Sequence, residues 1–140
     1  MSQYSWRIAQ QDDFHRIYSL IYNSDQKPMW GIDEIRRRVI IPLFLEQLIV
    51  FDDDHDRLSG FLTFAMMNEV SACHQSSIGV LPLDWRSGPQ LWVVDMFCPF
   101  GDGSKMYRAL KKDVEGAIAQ PIRYFRLKAQ SVKQMNIGRN

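Results

Sequence analysis

The chain has 140 residues, room for one domain with a hydrophobic core, and its 46% hydrophobic and 24% charged content is that of a globular protein rather than a disordered one. Seventeen Lys and Arg against sixteen Asp and Glu leave a formal charge of +1, which gives no global attraction for nucleic acid or an anionic membrane. The N-terminus carries no apolar signal core and no stretch approaches the roughly 18 apolar residues of a membrane span. Cys73 and Cys98 form neither a CxxC pair nor a disulfide framework. Sparse cysteine then makes the cytoplasm the expected compartment.

In chain order, Phe14, Ile17, Tyr18 and Ile21 follow the spacing of an amphipathic helix, with Asp12 or Asp13 as its expected cap. Asn23-Ser24-Asp25 breaks it. A second helix is expected from near Ile32-Asp33 through Ile35 and Val39 until Pro42 kinks or ends it. Leu48 to Phe51 and Leu58 to about Met66 read as two strands joined by the polar turn Asp52 to Asp56, a hairpin. That turn lacks the glycine and terminal glutamate of a calcium loop, so no metal is expected there.

The stretch from Asn68 to Gly88 carries no clear period. Gln90 to Phe97 reads as a strand, Cys98 to Gly103 as a tight loop, and Ser104 to about Ile118 as a helix striped by Met106, Leu110 and Val114. Ile122 to Lys128 is the last expected strand, and the rest reads as a basic tail. Helix, helix, hairpin, strand, helix, strand is a mixed α/β (α+β) order, expected as one domain over 1–140.

Three blocks carry a resemblance. Asp84-Trp85-Arg86-Ser87-Gly88, Leu91-Trp92-Val93-Val94-Asp95 and Pro99-Phe100-Gly101-Asp102 reproduce, with their spacing, the W-x-S-G, W-x-x-D and P-F-G-D pattern of the RTX-toxin-activating lysine acyltransferases of the haemolysin-activating type. The resemblance covers most of the chain and is strongest in its second half. It implies a Gcn5-type N-acetyltransferase-like fold, with a central, mostly antiparallel sheet flanked by helices. It also implies transfer of an acyl group from an acyl carrier protein or acyl-coenzyme A thioester to a lysine of a protein acceptor. No cofactor is implied beyond the donor thioester, and a homodimer is compatible with it.

The family's essential aspartate falls on Asp95. Its histidine falls on Lys27, and His15, His55 and His74 are out of register. Lys27 could serve as a base only if its pKa were lowered, or as a cation that polarises the thioester carbonyl. The replaced histidine keeps a second reading open, a relative that binds a protein or thioester without transferring the acyl group.

Asp95 sits among apolar residues, with Leu91, Val93 and Phe97 expected on its face of a regular strand. Burial there would raise its pKa and make it a site candidate, the alternative being a carboxylate that caps the next loop or pairs with an arginine. Trp92, Phe97 and Phe100 are the expected walls of an acyl groove. Gly101, Gly103 and Ser104 open the following helix, either as a cradle for the donor's phosphates or as a plain turn and cap. Arg36-Arg37-Arg38 reads as a solvated face or a docking patch for an acidic carrier, and Cys98 as a small buried thiol. A nucleic-acid module rests only on the basic tail and the arginine run, so nucleic acid is not an expected partner.

Overall fold

The computed structural model describes residues 3–23, 30–69, 84–114, 122–126 and 131–135. Strand β1 (Ser5–Ile8) leads through a 3₁₀ turn (Gln11–Asp13) into α1 (Phe14–Tyr22). Three continuous helical segments, Ile32–Ile35, Arg36–Ile40 and Ile41–Phe44, form α2. Strands β2 (Leu48–Asp52), β3 (Leu58–Met67) and β4 (Gln90–Phe97) follow, then α3 (Gly103–Val114), β5 (Ile122–Arg126) and β6 (Ser131–Met135). The strands form a sheet in the order β1-β2-β3-β4-β5-β6, antiparallel except for the β4–β5 pair. This is the mixed α/β class expected.

The sheet is covered on both faces, which explains why β2 and β3 read as nearly unbroken apolar runs. Ile17, Ile21, Ile35, Val39 and Leu43 of α1 and α2 pack on Leu48, Val50 and Phe61. On the other face Met106 and Leu110 of α3 pack on Ile49, Phe51 and Leu62. Met106 lies so close to Gly60 that a Cβ there would stand 2.9 Å from its sulfur and from the Phe97 carbonyl.

Several local expectations are corrected. Neither Asp12 nor Asp13 caps α1 through its side chain. Asp13 is buried instead and accepts the Gln10 amide at 2.8 Å, two bonds from Arg7 at 2.8 and 2.9 Å, and one from Arg16. The Arg7 pair holds the Asp13 carboxyl far below the usual carboxylate range. This network ties down β1, a strand the polar N-terminus did not suggest. The final strand β6 was likewise read as tail.

Pro42 does not end α2. Its ring would clash with the carbonyl four residues back, at Arg38, and it has no amide to donate. The helix widens instead into a π turn over Arg36–Ile40, with the Ile41 amide reaching the Arg36 carbonyl, and then continues to Phe44. The turn Asp52 to Asp56 is a tight polar connection in which the Asp53 carboxylate accepts the His55 and Arg57 amides at 2.8 and 2.9 Å.

The W-x-S-G block is tied by its backbone to β3. Met66 donates to the Trp85 carbonyl at 2.9 Å, and Ser87 and Gly88 donate back to the Met66 carbonyl at 2.7 and 3.1 Å. Gln47 braces the same segment through the Phe64 and Trp85 carbonyls at 2.9 and 2.8 Å. A Cβ on Gly88 would stand 2.4 Å from the Asn68 nitrogen, and backbone cannot yield as a flexible side chain can. Gly88→Ala is therefore expected to destabilise the fold by about 3 kcal/mol. A lower denaturant midpoint with unchanged slope would register it, and an unshifted midpoint would contradict the clash.

Candidate active site

Asp95 lies two residues before the end of β4, where the strand does two unusual things. First, the β3–β4 ladder slips by one residue. Thr63 faces Asp95 and Phe64 faces Val93, which leaves Val94 as the extra residue of a bulge. The pleat is not regular, so Asp95 does not share a face with Leu91 and Val93 as expected. Those two point toward α3, while Trp92, Val94 and Phe97 pack with residues on the α1–α2 side. Asp95 is turned to that second side, where it meets α2. Second, β5 pairs with β4 only at Trp92 and Val93. From Val94 to Phe97, β4 has no strand on its β5 side among the described residues.

The π turn of α2 supplies the partner of Asp95. Arg38 donates from a single nitrogen, Nη1, to both carboxylate oxygens, at 2.9 and 3.2 Å. Its Nε donates to Glu34 at 2.6 Å, and its guanidinium carbon stands 5.2 Å from the centroid of the Trp30 ring. Arg37 donates to the other Glu34 oxygen. From the β3 side, the Thr63 hydroxyl accepts the Asp95 amide at 3.2 Å.

Burial pushes the Asp95 carboxyl above its ordinary pKa, and Arg38 only partly opposes this. Burial also works against the charge of Arg38, but there Asp95 and Glu34 outweigh it and its pKa is raised. The bond from Arg38 lowers the pKa of Glu34. The Asp95 side chain keeps 18% of its exposure, so the carboxyl is deep but reachable. A reachable carboxylate of raised pKa, held in place by a fixed cation, is suited to accepting a proton from an ammonium.

Among the described residues, the other expected site residues lie on β4 and on the loop and helix that follow it. Trp92 is buried with Ala65, Met67 and Trp85, and Phe97 stacks on Phe61 with ring centroids 5.7 Å apart. Phe100 is exposed on the loop beyond β4. Gly101 and Asp102 take the left-handed conformation, with φ of 88° and 64°, and turn the chain into α3 at Gly103, followed by Ser104. The Asp102 carboxylate accepts the Tyr4 hydroxyl at 2.6 Å, which pushes the Tyr4 pKa up to about 12. Cys98, raised to about 11 by burial, is a free thiol against Met106. Lys27 and His74 lie outside the described residues. Among the described residues no group of three His, Cys, Asp or Glu could hold a metal ion, and no helix is long and apolar enough to cross a membrane.

Solved structures similar to this chain share its fold. The loading GNATL domain of CurA from Lyngbya majuscula superposes with a TM-score of 0.56 at 13% identity, over 87% of this chain and 64% of that one. A GNAT family acetyltransferase from Brucella melitensis, solved with acetyl-CoA, gives 0.55 at 12% identity, over 89% of this chain and 76% of that one. In sequence the chain is 33% identical over 82 residues to the lysine-acyltransferase RtxC of Vibrio cholerae, covering 54% of this chain and 51% of that protein. It is 24% identical to the RTX-II toxin-activating lysine-acyltransferase ApxIIC of Actinobacillus pleuropneumoniae, covering 79% of this chain and 70% of that protein. The chain thus spans about half the length of the Vibrio relative. A family model matches residues 7–139, nearly the whole chain, and on that match the chain belongs to the RTX toxin acyltransferase family.

Proposed function

We propose that the protein is a lysine acyltransferase that moves an acyl group from a thioester, carried by acyl carrier protein or coenzyme A, to a lysine side chain of a protein acceptor. The observation that carries this reading is Asp95, a reachable carboxylate of raised pKa at the end of β4 in the W-x-x-D block, beside a strand edge with no described partner. Family membership and the relatives named as lysine-acyltransferases support it.

Asp95 takes a proton from the acceptor ammonium and orients the freed amine. The amine attacks the thioester carbonyl, the amide C–N bond forms, and the C–S bond breaks to release the donor as its thiol. The free edge of β4 offers backbone amides and carbonyls to the extended arm of the donor. The loop through Gly101, with the first amides of α3 at Gly103 and Ser104, faces the donor's phosphate. Lys27, in the place of the family histidine, acts as a cation on the thioester carbonyl. The acceptor class is the one the relatives' names give, an RTX toxin.

Intact-mass measurement after incubation with an acyl carrier protein thioester or acyl-CoA and an RTX-toxin acceptor tests this. A mass gain of one acyl group on an acceptor lysine is the expected result. No gain from either donor, together with no thioester binding, overturns it.

A further inference from the structure

On the α3 face of the sheet, opposite Asp95, lies a cavity of about 240 Å³. Its floor is Leu62, Phe64 and Met66 of β3 with Leu91 and Val93 of β4, and Leu110 of α3 helps close it. Every lining side chain is aliphatic or aromatic apart from the sulfur of Met66 and the indole nitrogen of Trp6. That indole nitrogen is already committed to Asp113 at 2.6 Å. Nothing in this lining recognises a charge or a polar headgroup, so the chemistry it fits is hydrocarbon.

Its position ties it to the Asp95 strand. Leu62 pairs with Met96, one rung from the Thr63–Asp95 pair. From that rung the floor runs along alternate residues to Met66, four residues and so roughly 13 Å away. Val93, the last residue of β4 that β5 pairs, is part of the floor, so the cavity lies beside the point where the β4 edge becomes free.

We infer that this cavity receives the hydrocarbon chain of the acyl donor, which passes the free edge of β4 beside Asp95 and lies down between the sheet and α3. The inference rests on the acyltransferase reading for the identity of the chain, but it names a different face of the sheet and a chain length. A methylene occupies a little less than a water's share of about 30 Å³, so the cavity takes about eight methylenes. Trp92, Phe97 and Phe100 are then not the walls of the acyl site.

The test is a binding series with unreactive S-alkyl coenzyme A thioethers, from ethyl to tetradecyl, on the full chain. Affinity is expected to rise about fourfold per added methylene, the factor for burying one from water, and to level off near the octyl or decyl compound. In Val114→Trp, which narrows the cavity at the end of α3, the plateau is expected at a shorter chain, and an unshifted plateau overturns the inference. A flat series in the unsubstituted protein, as when the chain's own side chains fill the space, overturns the inference without needing the variant. Intact-mass transfer from an acetyl or butyryl donor, run in parallel, separates the two readings. Transfer with a flat series removes the cavity assignment alone. A rising series without transfer keeps the hydrocarbon site and removes the acyltransferase reading.

Discussion

Asp95→Asn is expected to slow acyl transfer by roughly a hundredfold to ten-thousandfold, the range for losing a positioned proton acceptor, and to leave the fold at least as stable as before. The stability half of this expectation follows from the direction of the pKa shift. Burial raises the Asp95 carboxyl above its value in the unfolded chain. An acid with a raised folded pKa binds its proton more tightly folded than unfolded. Its ionised form therefore costs stability at pH values above the unfolded pKa, and the cost fades as pH falls and the group protonates. An asparagine carries no charge to desolvate, and its amide oxygen still accepts from Arg38. Transfer rates and thermal midpoints of the two proteins, compared at neutral pH, are the measurements. A rate unchanged by the substitution would assign Asp95 to structure and leave the proton transfer to another group. A rate lost together with a lower midpoint would assign the loss to unfolding.

Much of this arrangement was legible in the sequence, and the parts that were not share a physical reason. The apolar stripes of α1 and α3 and the polar turn between β2 and β3 are local patterns, and the structure keeps them. Asp95 was legible because a carboxylate in an apolar strand is a local anomaly. Its surroundings were not. Val94, the extra residue of the bulge, is a β-branched residue among others, with no glycine or proline to mark it, so nothing local announced that Asp95 and Val93 part faces. Arg38 is paired across 57 positions of sequence, and three consecutive arginines on a regular helix splay over an arc with no single one favoured. Pro42 was the available signal, because a proline four residues after Arg38 disturbs the turn that carries it. A kink or an end at Pro42 is what the sequence suggests, and a wider turn upstream of it is the form the disturbance takes. Strand β1 was missed because Ser5 to Ile8 mixes polar and apolar residues, and its place is secured by Arg7 binding Asp13 and Asp52 rather than by its own pattern. The Trp85-Arg86-Ser87-Gly88 block carried the resemblance in the sequence, and its backbone contacts on Met66 could not be read there because they join distant parts of the chain.

Arg38→Met is expected to displace the pH dependence of transfer rather than merely reduce it, and this separates a positioning role from a structural one. Arg38 supplies the two leading contributions that hold the Asp95 pKa down, its charge and its hydrogen bond, against the burial that pushes it up. Removing Arg38 leaves burial opposed by the weaker effect of Arg37, with Glu34 adding to the rise, so the Asp95 pKa goes further up. If ionised Asp95 is the proton acceptor, the acid limb of kcat/KM moves to higher pH, and activity falls across that limb. Each pH unit below the carboxyl pKa removes a factor of ten in the reactive form. At alkaline pH the ionised form returns and part of the rate with it. Stability should fall by about 1–3 kcal/mol at neutral pH, less than for a sealed pair, because the Arg38 side chain keeps a third of its exposure. The stability deficit should shrink as pH falls, since protonated Asp95 no longer lacks a cation. Arg38→Lys restores a positive charge but neither the planar stack over Trp30 nor the simultaneous reach to Glu34 and Asp95, so it should recover part of the acid limb's position and little of the rate. A loss of equal size at every pH, unaffected by the lysine, would mean that Arg38 shapes the fold alone, and Asp95 would then need another source for its place in the chemistry.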